Sequence, residues 1–98
     1  MIKKSYSKTR RSCKVTFELP PDVNAERAMV YGDFNEWNGN KHRMKRLKDG
    51  SFSLTVSLKP GNAYRFRYLL DEDRWENDGT ADGYIPNAFG SDDSITEV

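Results

Sequence analysis

The chain has little of what most functional classes require. Its 98 residues include one cysteine, Cys13, and one histidine, His42. A lone cysteine cannot close an internal disulfide, which excludes a stapled secreted scaffold and suits a reducing cytoplasm. With one residue of each kind, neither a zinc site nor a cysteine–histidine nucleophile has its constellation. No run of about 18 apolar residues exists, which excludes a membrane-spanning helix. The basic start of the chain, residues 1–14, has no apolar stretch behind it and is not a secretory signal. No helical stripe of any length occurs, and residues 22–28 have room for one turn at most. At this length one domain is expected, too short for the barrel and doubly wound folds that host most enzymes.

What the chain does have is aromatic residues and charge. Two Trp, five Tyr and five Phe are too many for a typical disordered chain, although 32% of residues are charged. The net charge of +1 hides a split, with +7 over residues 1–48 and −6 over residues 49–98. A basic front raises the question of nucleic acid. Yet no nucleic-acid motif is present, Tyr6 is the only aromatic in the leading basic cluster, and the acidic half would repel a polyanion. A solvated surface explains the charge better, and neither nucleic acid nor a membrane is expected as a partner.

Period-two alternation marks strands. Cys13, Val15, Phe17 and Leu19 alternate with Lys14, Thr16 and Glu18 until Pro20-Pro21-Asp22 ends the run. A short apolar run from Ala28 to Tyr31 closes at Gly32, followed by an Asn- and Gly-rich loop from Asp33 to Asn40 that carries Phe34 and Trp37. After the Asp49-Gly50 turn, Phe52, Leu54, Val56 and Leu58 share one face. After Pro60-Gly61, Tyr64, Phe66, Tyr68 and Leu70 do the same. Residues 51–58 and 63–70 therefore read as an antiparallel hairpin. A charged loop from Asp71 to Asp82 carries Trp75, and Ile95 and Val98 mark a short last strand. Short strands separated by Pro, Gly, Asn and Asp predict an all-β, immunoglobulin-like sandwich of antiparallel strands. It would span residues 12–98, behind a mobile basic leader at 1–11.

Both tryptophans fall in expected loops. Each could plug one end of the core, but their neighbours argue otherwise. Trp37 lies between Asn35-Glu36 and Asn38-Gly39-Asn40, and Trp75 between Asp73-Arg74 and Glu76-Asn77-Asp78. An indole rimmed by amides and carboxylates is what a sugar site requires: the ring stacks on the apolar face of a pyranose, and the rim bonds the hydroxyls. Arg65 and Arg67 lie opposite the expected core face, either as a solvated edge or as donors to a ligand there. The acidic loop does not fit calcium. If Asp78-Gly79 took the fifth and sixth places of an EF-hand loop, Arg74 would be the first ligand and Ile85 the twelfth. Paired carboxylates for glycoside hydrolysis occur in any loop this acidic, and a sandwich offers no cleft to raise one pKa. No catalytic residue, metal or cofactor is assigned.

The run Val30-Tyr31-Gly32-Asp33-Phe34-Asn35-Glu36-Trp37-Asn38 resembles the signature of family 48 carbohydrate-binding modules. These are the early-set isoamylase N-terminal domains, and a relative is the glycogen-binding domain of the AMP-activated protein kinase beta subunit. The likeness continues through Asp49–Phe52, Pro60-Gly61, Tyr64–Asp71, Trp75–Asp78 and Phe89–Ile95, in order. It implies that Trp37 and Trp75 are platforms for an α-1,4-glucan (glycogen, starch or maltooligosaccharide). Arg67 stands where the family has a lysine that contacts hydroxyls. Phe89, Ser91 and Asp93 stand where glycogen-binding relatives have leucine, threonine and asparagine. Asp93 thereby loses an amide donor and gains a charge, and the loop at 71–75 is one residue longer than in the kinase subunit.

The expected function is non-catalytic α-glucan binding, with Asn35, Asn77, Phe89, Ser91 and Asp93 shaping the edge around Trp37, Trp75 and Arg67. The alternative is an interaction subunit that docks a glucan-metabolising enzyme of the glycoside hydrolase family 13 type, or a second copy of itself. The short form with a basic leader looks like the free-standing bacterial early-set proteins, a binding module without the barrel.

Overall fold

Alternation of apolar and polar residues gives each strand one dry face, and two such sheets bury those faces against each other. The computed structural model describes residues 2–38, 41–88 and 90–98. Its strands are β1 (Ile2–Tyr6), β2 (Cys13–Leu19), β3 (Ala28–Gly32), β4 (Lys45–Arg46), β5 (Phe52–Leu58), β6 (Ala63–Leu70), β7 (Arg74–Glu76), β8 (Gly83–Pro86) and β9 (Asp92–Glu97). The first sheet runs β1-β2-β5-β4 and the second β3-β6-β9-β8, with β7 pairing the far end of β6. All pairings are antiparallel. The all-β sandwich expected from the sequence is the fold observed, with short 3-10 turns at Pro21–Val23 and Asp33–Asn35.

The core lies between the sheets. Val15 and Phe17 of β2 and Phe52 of β5 meet Val30 of β3 and Phe66, Tyr68 and Leu70 of β6, all nearly sealed from solvent. Phe17 packs edge-on to Phe66 and Tyr68, with ring centroids 5.0 and 6.4 Å away. Tyr68 brings a hydroxyl into this apolar space and donates it to Asp78 Oδ2 at 2.7 Å. Burial, and next the adjacent carboxylate, push the phenol far above its ordinary pKa. Burial works against the Asp78 charge, but bonds from Tyr68 and from the backbone and hydroxyl of Thr80 outweigh it and hold the carboxyl low. The acidic residue that invited a calcium reading is thus engaged as a structural acceptor.

Three sequence expectations change. The segments 51–58 and 63–70 are not a hairpin. β5 pairs with β2 and β4, whereas β6 pairs with β3, β7 and β9, so the chain crosses between sheets at residues 59–62. Alternation alone cannot separate these cases, because either way both apolar faces point inward. The crossing is pinned by Gly61 N–H to Val98 O and Val98 N–H to Asn62 O, each 2.9 Å. Residues 2–6, expected in a mobile leader, form β1 and pair with β2 from Ile2↔Phe17 to Tyr6↔Cys13. Trp75 lies on strand β7, not in a loop, after a turn with φ of 52° at Asp71 and 67° at Glu72. Positive φ at both central residues matches the twist of a hairpin. The short last strand expected around Ile95 is β9, in which Ile95 lies opposite Arg65 on the outer side while Ser94 and Thr96 lie opposite Phe66 and Tyr64 on the inner side.

Candidate functional site

The site is built around β6. Its inward positions Phe66, Tyr68 and Leu70 fill the core, so Arg65, Arg67 and Leu69 project from the opposite face of the second sheet. On one flank, β3 sets Tyr31 opposite Arg67; on the other, β7 sets Trp75 opposite Leu69. Arg65, Arg67, Trp75, Asp93, Asn87, Trp37 and Asp33 line a cavity of about 610 Å³ there.

The aromatic groups are held by contacts. Trp75 packs edge-on against Tyr31, with centroids 5.0 Å apart, and the Arg67 guanidinium carbon lies 5.3 Å from the Trp75 centroid. Trp75 keeps 46% of its surface exposed, which is much for so large an apolar residue. Arg67 Nε is buried and finds no hydrogen-bond partner among the described residues. A buried donor of this kind carries a desolvation penalty that an incoming acceptor would relieve.

The Gly32–Trp37 motif explains the position of Trp37. A Cβ on Gly32 would come within 2.7 Å of both Arg65 O and the Phe34 ring, so glycine allows β3 to end tight against β6. Phe34 stacks on Phe17 at 5.6 Å and anchors the turn to the core. Asn35 is 3% exposed and accepts from Gly32 N–H at 3.0 Å through Oδ1; its Nδ2 donates to Val30 O at 2.8 Å and meets His42 Nδ1 at 2.9 Å. Burial first, and Lys41 second, hold His42 below its ordinary pKa, which keeps Nδ1 free to accept. Glu36 and Trp37 then turn the chain with φ of 56° and 59°. Asp33 accepts from Trp37 Nε1–H at 3.0 Å and from Arg65 N–H at 2.9 Å.

Of the residues singled out in the sequence, Trp37, Trp75, Arg65, Arg67 and Asp93 meet in this cavity. Asp93 is 5% exposed; its Oδ1 accepts from Asn87 Nδ2 at 3.1 Å, and Oδ2 lies 3.8 Å from Arg65 Nη1. Ser91 is exposed beside the site and bonds Asn87. Asn35 and Asn77 are placed elsewhere. The Asn35 amide is spent inside its own turn. Asn77 donates to Asp92 O at 2.8 Å and accepts from Ser94 Oγ at 2.9 Å, tying β7 to β9. Phe89 lies outside the described residues. Asp33 and Asn87 were not picked out; for Asp33 the signal was available, an acceptor four residues before a tryptophan in a tight turn.

The fold is a β-sandwich of the immunoglobulin-like, early-set type, and its second sheet gathers two tryptophans, two arginines and two aspartates on one face. Residues 22–85, more than half of the chain, match carbohydrate-binding module 48 (isoamylase N-terminal domain), and the chain belongs to that family. Among curated proteins it is similar to the 1,4-alpha-glucan branching enzymes GlgB of Deinococcus radiodurans (44% identity over 45 residues) and Photobacterium profundum (43% over 44). The enzyme of Thermosynechococcus vestitus is 38% identical over 50 residues. These matches take in 44 to 50% of this chain and 6% of each relative's length. No helix among the described residues is long and apolar enough to cross a membrane.

Proposed function

We propose that this domain binds a neutral α-1,4-linked glucan on the outer face of the second sheet, without cleaving it. The observation that carries the reading is that Trp37 and Trp75 line one cavity together with Arg67 and Asp93. Indole rings offer stacking surface at low entropic cost. A guanidinium that only donates and a carboxylate that only accepts call for a ligand able to do both, as a sugar hydroxyl does. The lining charges, Arg65 and Arg67 against Asp33 and Asp93, balance, which suits an uncharged ligand. Ser91, and Phe89 by resemblance, belong to the proposed edge, whereas the amides of Asn35 and Asn77 are occupied by protein partners. The buried free thiol of Cys13 fits action in a reducing cytoplasm.

An open stacking site of this size should bind at about 10⁻⁵ to 10⁻³ M, roughly −4 to −7 kcal/mol. Maltoheptaose titrated by NMR and tryptophan fluorescence tests this. Trp37→Ala and Trp75→Ala should each weaken binding roughly tenfold or more. No response at millimolar sugar, or unaltered affinity in both variants, would defeat the reading. The second reading, docking of a glucan-metabolising enzyme or of another copy, has β8 in its favour, an edge strand with Tyr84 and Ile85 exposed. Light scattering and capture of a branching enzyme from native cells would favour it if the titration is silent.

A further inference from the structure

We propose that Asp33 is the positioning residue of this site: its carboxylate sets the plane of the Trp37 ring and fastens that ring to the strand carrying Arg67. The inference rests on the glucan reading for its consequence, but its geometry stands apart. An indole has one polar handle, Nε1–H, and Trp37 gives it to Asp33 Oδ1 at 3.0 Å. The other oxygen accepts from the backbone N–H of Arg65 at 2.9 Å. One carboxylate thus braces two elements, the turn after β3 and the central strand β6.

The brace is needed because the turn is unfavourable by itself. Glu36 and Trp37 are consecutive non-glycine residues with positive φ, a conformation that persists only where the surroundings enforce it. Backbone bonds hold the main chain, with Trp37 N–H on Gly32 O at 2.9 Å and Asn38 N–H on Asn35 O at 3.0 Å. These leave the side-chain torsions of Trp37 unset, and Asp33 sets them. Gly32 brings Asp33 within reach, since its hydrogen lies against the Arg65 carbonyl where a Cβ would clash. The chemistry required at position 33 is two acceptors and no donor. Asparagine has one acceptor and must abandon either the indole or Arg65 N–H. A platform fixed before binding loses less freedom when the ligand arrives.

The test combines maltoheptaose titration with the indole Nε1–H cross-peaks in ¹H–¹⁵N spectra, using Asp33→Asn and Asp33→Ala in the wild-type and Trp37→Ala backgrounds. Asp33→Ala should weaken binding roughly five- to thirtyfold, the effect of losing a charge-assisted hydrogen bond, with Asp33→Asn between it and wild type. In the Trp37→Ala background neither change should weaken binding further. The Trp37 indole cross-peak should shift in both single variants while that of Trp75 stays in place. If Asp33→Ala destabilises the fold, the near-isosteric Asp33→Asn carries the test. An equal loss of affinity with and without Trp37, or an unmoved Trp37 cross-peak, overturns the proposal. If the cross-peak shifts as expected but no tryptophan variant alters the titration, the positioning role stands and the glucan reading is what fails.

Discussion

Replacing Asn35 by alanine should damage the fold, not the ligand contact. The residue stands beside Trp37 in the motif and looks like part of a sugar rim, yet it is 3% exposed and bonded on both sides of its amide. Alanine leaves the Gly32 N–H, the Val30 carbonyl and His42 Nδ1 without this partner. Water can reach half-buried His42, so the two main-chain groups set the scale. At about 1–3 kcal/mol for each buried group left unmet, with some relief from the β3 ladder, the loss is about 2–4 kcal/mol. That is a large part of the roughly 5–15 kcal/mol that stabilises a typical domain, and corresponds to a fall in Tm of about 10 to 25 °C at this chain length.

Thermal melts by circular dichroism and urea melts with an unchanged m-value would measure it, alongside a maltoheptaose titration in the cold, where the variant is folded. The expected pattern is a large drop in stability with affinity nearly kept in the folded fraction. Asn35→Asp should be no better than alanine, since it keeps an acceptor for Gly32 N–H but turns a carboxylate toward the Val30 carbonyl. A variant that melts within about two degrees of wild type but has lost its affinity would refute this account and return Asn35 to the ligand edge.

Two further outcomes follow from the same turn. Gly32→Ala must push β3 away from the Arg65 carbonyl and the Phe34 ring; it should cost about 1–3 kcal/mol in a urea melt and weaken glucan binding by displacing Asp33. His42 gives a pH dependence: with its folded pKa held below 6.5, its contribution is complete above that value and is lost as the pH falls toward the lower folded one. The carboxylates of Asp71, Asp78 and Asp82, held below 3.8, add nothing in that window. Urea midpoints should therefore drop between about pH 7.5 and pH 5.5 in the wild type and not in His42→Ala; equal drops in both would show that another group titrates.

Strands β2, β5 and β6 were legible because alternation is a property of one strand, whereas pairing is a property of two. The segment from Phe52 to Leu70 shows the limit: both runs were placed correctly, but their partners lie in different sheets, and nothing local distinguishes a hairpin from a crossing. β1 was hidden for another reason. Its inward positions are Ile2, Lys4 and Tyr6, and a lysine there breaks the apolar pattern. The Lys4 ammonium bonds Asp82, just before β8, and links the margins of the two sheets. β7 was hidden because Asp71-Glu72-Asp73 makes its turn without the Asn-Gly pair that announces one. In place of glycine, Asp71 caps the backbone N–H groups of Glu26 and Arg27.

The site was legible where the residue type dictates its use and opaque where it does not. A tryptophan among polar residues and an arginine opposite a core face each have few roles; an asparagine has many, and Asn35, Asn77 and Asn87 fill three of them. What unites the site is the register of β6. Phe66, Tyr68 and Leu70 enter the core only if Arg65 and Arg67 leave it, and a slip of one residue would exchange the two sets. Since β3, β7 and β9 all pair with this strand, its register also places Tyr31, Trp75 and, through Arg65 N–H, Asp33 and the Trp37 ring. The hydrophobic energy that selects the register of β6 therefore also assembles the candidate binding face, and charged residues can stand there because the opposite side of the strand supplies the stability.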